Sequence, residues 1–166
     1  LGRVWFPTAV FRRSMEESEQ SSSIDVAGLP ARFESLKPLI EQVAAEIYST
    51  HNVKSFVVSI SFLSDEGIAR INQESLGRPG PTDVIAFDLS EDGLPLESVG
   101  DIYISIDTAI ENSARFKVTP REEILRLAVH GLLHIIGYDD SDVTAREKMT
   151  EVQEGIVRRF SAGPAR

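Results

Sequence analysis

The segment from Thr119 to Ile136 constrains this chain most, because it reads as a helix with almost no polar face. Thr119-Pro120-Arg121-Glu122 has the form of a helix start, with a hydroxyl cap, proline in the first turn and an acid three residues after the cap. Leu125, Leu127, Ala128, Val129, Leu132, Leu133, Ile135 and Ile136 then make the helix apolar nearly all round, so it has to be buried. The exceptions line up. Glu122, Arg126, His130 and His134 are successive i+4 neighbours and form one polar stripe on that helix. A buried polar group without a partner costs on the order of 1–3 kcal/mol, so the stripe must face something.

Two of the three histidines belong to it. The spacing of His130 and His134 puts both imidazoles on one helical face, where they can share a single divalent ion. Gly137 breaks the helix three residues later and lets the chain fold back, so that Asp139, Asp140 and Asp142 compete for a third ligand position. Two nitrogens and one carboxylate suit zinc, and the hard carboxylate also admits manganese, nickel or iron. Three protein ligands leave a position open for chemistry. The plainer reading is two core histidines bonded to backbone carbonyls, with Arg126 paired to Glu122.

Around this helix the chain punctuates itself clearly. The stretch from Ser14 to Ser23 is polar, acidic and serine-rich, so residues 1–23 read as a disordered lead-in. The chain begins with Leu while Met15 offers a start, and residues 1–14 read as upstream sequence or the product of an alternative start. Residues 24–162 read as a single domain, large enough for a core without staples. Its expected elements are a strand from Ile24 to Ala27, a helix from Phe33 to Thr50 and an alternating strand over Phe56 to Phe62. A helix capped by Ser64 runs to about Leu76, and the Gly77-Arg-Pro-Gly-Pro81 cluster is a loop. Thr82 to Asp88 reads as a strand, Asp92-Gly93 as a turn, and Val99 to Ile106 as a strand with Ile102, Ile104 and Ile106 on one face. Helices over Asp107 to Phe116 and about Asp142 to Phe160 flank the buried one. The order gives an α+β fold, a mixed sheet of about four strands packed with about five helices around the metal-bearing helix.

Composition excludes several classes. With no cysteine there is neither a disulfide nor a thiolate zinc site, which fits a reducing compartment, and the cytoplasm is the default. No apolar run approaches the roughly 20 residues that cross a bilayer, so no membrane partner is expected. A net charge of −9 argues against general nucleic-acid affinity, so any RNA contact must use a local basic patch or a partner.

His130-Gly131-Leu132-Leu133-His134-Ile-Ile-Gly137-Tyr138-Asp139-Asp140 resembles the H-G-x-L-H-x-x-G-Y-D-H hallmark of the YbeY family of endoribonucleases. Pro81-Thr82-Asp83-Val84-Ile85-Ala86-Phe87 resembles that family's P-T-[DN]-V-L-S-F strand, Gly100-Asp101-Ile102 its G-D-[IL] strand start, and Asn72 lies in the expected helix. The resemblance covers roughly Ile24 to Phe160. It implies a metalloprotease-like fold and a ligand set of His130, His134 and Asp140 around one divalent ion, zinc first. It also implies hydrolysis of single-stranded RNA in maturation of the small-subunit rRNA 3′ end and in ribosome quality control. The implied partners are precursor rRNA and the ribosomal small subunit or its proteins, with no DNA.

Two departures stand out. Asp140 takes the place of the family's usual third histidine, and Leu76-Gly77 stands where the family has an R-G pair whose Arg serves RNA or phosphate. Arg126 is then the expected catalytic cation, because Arg78 reads as an ordinary surface ion pair. Asp139 is the expected orienter of an imidazole, and Asp83 and Asp101 are candidate general bases. A metallopeptidase shares the ligand spacing but needs a Glu after the first histidine, where this chain has Gly131. A non-catalytic ribosome-assembly factor that carries a structural metal is the remaining alternative.

Overall fold

The computed structural model describes residues 22–90 and 97–162. Strand β1 (Ser23–Ala27) leads through a 3-10 turn (Ala31–Leu36) into helix α1 (Lys37–Thr50), then β2 (Ser55–Leu63) and α2 (Asp65–Leu76). Strands β3 (Val84–Asp88) and β4 (Glu97–Ser105) follow, and then α3 (Ile106–Phe116), α4 (Pro120–Ile135) and α5 (Val143–Ser161). The strand order is β1-β2-β4-β3, with β1, β2 and β4 parallel and β3 antiparallel to β4 at the edge. The expected α+β architecture is present. Among the described residues no helix is long and apolar enough to cross a membrane.

Alternation on the strands sends Val58, Ile60 and Phe62 of β2 and Ile102 and Ile104 of β4 into one core. Helix α1 adds Ile40, Val43, Ala44 and Ile47, and α5 adds Met149, Ile156 and Val157. Helix α4 lies between these layers and is buried along most of its length, as its all-round apolarity requires. Its approach to the sheet is set by two glycines. A Cβ on Gly131 would stand 2.6 Å from Ile102 Cγ2, and one on Gly100 would stand 2.6 Å from Ile135 Cδ1. Helix and strand therefore interlock, each isoleucine filling the space the opposite glycine leaves. A side chain at position 131 would force Ile102 to shift, so packing as well as identity opposes the glutamate a peptidase would need there.

Several boundaries differ from expectation for local reasons. The helix expected from Phe33 starts as a 3-10 turn, and α1 proper begins at Lys37. Pro38 has no N–H for an i→i−4 bond, so it serves the first turn of a helix and not its interior. Ile106 is the first residue of α3 and not the last of β4, because the Ser105 hydroxyl accepts the Thr108 N–H at 3.1 Å and caps the helix. Strand β1 begins at Ser23, one residue inside the expected lead-in, and Ser22 Oγ accepts the Phe56 N–H at 3.3 Å. The rest of that lead-in and the Asp92-Gly93 turn lie outside the described residues.

Candidate metal centre

Helix α4 ends in the way its sequence requires. Gly137 has φ 97°, and the Tyr138 N–H returns to the Leu133 carbonyl and the Gly137 N–H to the His134 carbonyl, both at 3.0 Å. This is a Schellman closure, and the positive φ at its turning point suits glycine. The reversal carries the Tyr138 carbonyl back over the last turn, where it accepts the His134 Nδ1–H at 3.0 Å. His130 Nδ1–H donates to Gln153 Oε1 of α5 at 2.8 Å. Both imidazoles thus have their Nδ1 protons committed to acceptors.

The consequence lies at the other ring nitrogens. The two Nε2 atoms face each other at 3.0 Å, with Asp140 Oδ2 3.6 Å from His134 Nε2 and 3.9 Å from His130 Nε2. With Nδ1 protonated, three lone-pair groups converge on one point and no hydrogen lies between them. Burial, the largest influence, holds the His130 pKa below the ordinary histidine value, so a shared proton is a poor remedy near neutrality. A cation resolves the arrangement. The donor set of two imidazoles and a carboxylate, all within 4.8 Å of one another, fits a divalent ion.

Asp140 is delivered by a short structured loop. Asp139 Oδ1 accepts the backbone N–H groups of Asp140 at 2.8 Å and Ser141 at 3.0 Å, and its Oδ2 accepts the Ser141 hydroxyl. Those bonds, the Ser141 hydroxyl first, lower the Asp139 pKa. Asp139 therefore folds the loop, and neither imidazole bonds to it. Asp142, the rival ligand, caps α5 instead, its Oδ1 accepting the Ala145 N–H at 2.8 Å. Arg146 donates to the Asp140 carbonyl at 3.0 Å and ties the loop to α5.

Arg126 is fully engaged elsewhere. It donates to Glu122 at 2.8 Å, Glu123 at 2.7 Å and Glu154 at 2.7 Å, and these partners raise its pKa further. Glu123 is only 2% exposed, and burial outweighs Arg126 in raising its pKa. Glu154 Oε1 also accepts from Gln153 Nε2 at 3.1 Å. A continuous relay thus runs from Arg126 through Glu154 and Gln153 to His130. Gln153 was not among the expected residues, although it breaks the apolar stripe of α5 between Met149 and Val157. Tyr138 carries a second support, its hydroxyl donating to His51 Nε2 at 3.0 Å while His51 Nδ1–H donates to the Ile47 carbonyl at 2.7 Å.

His130, His134 and Asp140 open on a cleft of about 480 Å³. Its opposite wall is Asn72, Leu76 and Arg78, then Thr82 to Ala86 and Asp88. Asp83 reaches it, with Oδ1 accepting the Val84 N–H at 2.8 Å. Asp101 does not line it. Gly100 and Ile102 face α4, so Asp101 points to the other side of β4 and accepts the Ser59 hydroxyl at 2.6 Å. Arg126 is also absent from the lining, whereas Arg78, expected in a surface ion pair, is on it and forms no ion pair among the described residues.

A mixed sheet crossed by a buried helix with a two-histidine, one-aspartate cradle in an open cleft defines a metal-hydrolase class of site. The model of the family described as Endoribonuclease YbeY matches residues 20–161, and the chain belongs to that family. It is 32% identical to the Endoribonuclease YbeY of Treponema denticola over 84% of this chain and 94% of that protein. With the Synechococcus sp. (strain RCC307) protein of the same name, identity is 35% over 78% of this chain and 84% of the relative. The solution structure of TM1509 from Thermotoga maritima superposes with a TM-score of 0.62 at 27% identity, covering 83% of this chain and 89% of that one.

Proposed function

We propose that this protein is a metal-dependent endoribonuclease that hydrolyses single-stranded RNA. Its proposed setting is the cytoplasm, in maturation of the small-subunit rRNA 3′ end and in ribosome quality control. The observation that carries the reading is the convergence of His130 Nε2, His134 Nε2 and Asp140 Oδ2 in a cleft open to a polymer. His130, His134 and Asp140 would hold the ion, zinc first on ligand type. A bound divalent ion supplies a Lewis acid for a phosphoryl oxygen and a water of lowered pKa.

The protein's own groups do the rest. Gln153 and the Tyr138 carbonyl hold the two imidazoles in the tautomer that leaves Nε2 free. Arg126 acts as a positioning residue through Glu154 and Gln153, and Asp139 acts as one through the loop that presents Asp140. Asp83 lines the cleft with one carboxylate oxygen engaged, and its other oxygen is the group suited to accept a proton from attacking water.

Purification without added metal, identification of the bound ion, and assay of single-stranded RNA beside peptides test this reading. RNA cleavage that is lost on chelation, restored by that ion and absent in His130→Ala and His134→Ala is the expected result. A folded His130→Ala variant that still supports rRNA processing in cells would instead leave a metal-stabilised assembly factor.

A further inference from the structure

Among the described residues that line the metal cleft, Arg78 is the only lysine or arginine. The same lining holds three carboxylates, Asp83, Asp88 and Asp140. With a divalent ion in place, the formal charge of these groups is −1 without Arg78 and zero with it. An RNA strand brings one negative charge per nucleotide into this space. Without Arg78 the approaching strand meets a net repulsive cleft even with the metal bound.

Availability separates Arg78 from its rival. Arg126 has its guanidinium nitrogens donating to Glu122, Glu123 and Glu154, and displacing them would leave the buried Glu123 carboxylate unpaired. Arg78 is exposed, and among the described residues its side chain has no hydrogen bond or ion pair. Its backbone is nevertheless anchored. The Arg78 N–H donates to the Asn72 carbonyl at 3.2 Å, and Asn72, which is buried, donates from Nδ2 to the Gly80 carbonyl at 2.9 Å. Asn72 thus braces the turn on both sides of Arg78. A braced backbone, a free planar donor fork and an otherwise acidic cleft are what a phosphate-binding arginine requires.

The backbone of the β3 wall adds only neutral hydrogen-bonding groups. Ser105 donates to the Asp83 carbonyl and Leu89 to the Val99 carbonyl, each at 2.8 Å, which sets the parity of the β3–β4 ladder. In that parity the backbone groups of Ala86 and Asp88 point away from β4, along the open edge that borders the cleft. They can accompany a strand but contribute no net charge.

We infer that Arg78 is the residue that seats an RNA phosphate in this cleft, next to the position occupied by the scissile linkage. The inference rests on the ribonuclease reading, yet binding and cleavage test the two separately. Binding of a labelled single-stranded RNA oligonucleotide to the metal-loaded full chain would be followed by fluorescence anisotropy from low to moderate salt. A gel would establish that the RNA stayed intact during each titration.

Arg78→Ala is expected to weaken binding roughly tenfold and to reduce the slope of log affinity against log salt by about 0.7, the value for one phosphate contact on a single strand. Arg78→Lys should keep most of that slope. The double variant Arg78→Ala with Leu76→Arg returns a cation to the same cleft and should recover part of it, since Leu76 lines the cleft and is 44% exposed. Affinity and slope unchanged in Arg78→Ala overturn the inference, whatever the cleavage assay shows. RNA bound through Arg78 but never cut sustains Arg78 and removes the ribonuclease reading. No RNA binding by the wild-type chain overturns both.

Discussion

Gln153 shows at the level of one residue how the candidate metal centre depends on a group outside its three converging side chains. Its amide accepts from His130 Nδ1 and donates to Glu154, so its orientation is determined from both ends. Replacing such a hydrogen-bond partner typically costs 10–100-fold in metal affinity. Gln153→Ala is accordingly expected to weaken binding of the divalent ion by about that factor, measured by competition with a chromogenic chelator. Gln153→Glu puts a carboxylate on the same ring nitrogen and should restore or tighten binding. Equal affinity in the wild type and the alanine variant would mean that α4 alone orients His130. The contrast between Gln153 and Asp140 explains what could be read beforehand. Asp140 lies six residues from His134 along the chain, and its candidacy follows from the family resemblance, local spacing alone leaving Asp139 and Asp142 open as well. Gln153 becomes a neighbour of His130 only when α5 packs back on α4, which no local pattern reports.

At the scale of elements, the helix ends that carry a local capping signal were readable, whereas the starts of α1 and α3 were not. Ser64 and Thr119 cap the helices that follow them and Gly137 closes α4, as expected, because each uses contacts within a few residues, while Asp142, read as a rival ligand, proves to be the cap of α5. Contacts between two such ends were not readable. Asp65 in the first turn of α2 accepts the hydroxyls of Ser105 and Thr108 at the start of α3, and Asp107 returns the contact by accepting the Asp65 N–H at 2.9 Å. The bond from Ser105, then that from Thr108, lowers the Asp65 pKa from its ordinary 3.8. A folded-state pKa below the unfolded one means that the ionised carboxylate favours the native state. That contribution is complete above the unfolded value and disappears as pH falls through the lower folded value. Asp65→Asn should therefore melt below the wild type throughout the neutral range, with the gap closing only in acid below about pH 4. Thermal melts at a series of pH values check this, and a gap that persists unchanged into strong acid would assign the effect to shape and not to charge.

Across the whole molecule, the metal cradle joins parts that the sheet does not hold together. His130 and His134 sit on α4, Asp140 belongs to the loop entering α5, and Gln153 holds His130 from α5 itself. Packing of α4 on β4 through Gly131 and Gly100 fixes the floor, and the three converging side chains of the candidate metal centre stand with their lone pairs opposed, an arrangement that a bound cation would relieve. An ion that binds only the folded chain stabilises it by RT ln(1 + [L]/Kd), about 4 kcal/mol at a thousandfold excess over Kd. For a domain of this size that corresponds to a rise in Tm of roughly 10 °C. Saturating the metal-free protein with zinc should produce such a shift, and His130→Ala should abolish it while keeping a cooperative transition of its own. Arg126 supplies the internal comparison. Arg126→Met removes the charge that sits among Glu122, Glu123 and Glu154, and should lower the melting temperature of the metal-free and the metal-loaded protein alike. If the relay through Glu154 and Gln153 also steers His130, the zinc-induced rise itself shrinks in that variant. A full rise in Arg126→Met, on a lowered baseline, would confine Arg126 to holding the helices and leave Gln153 as the last residue of the relay that the metal can feel.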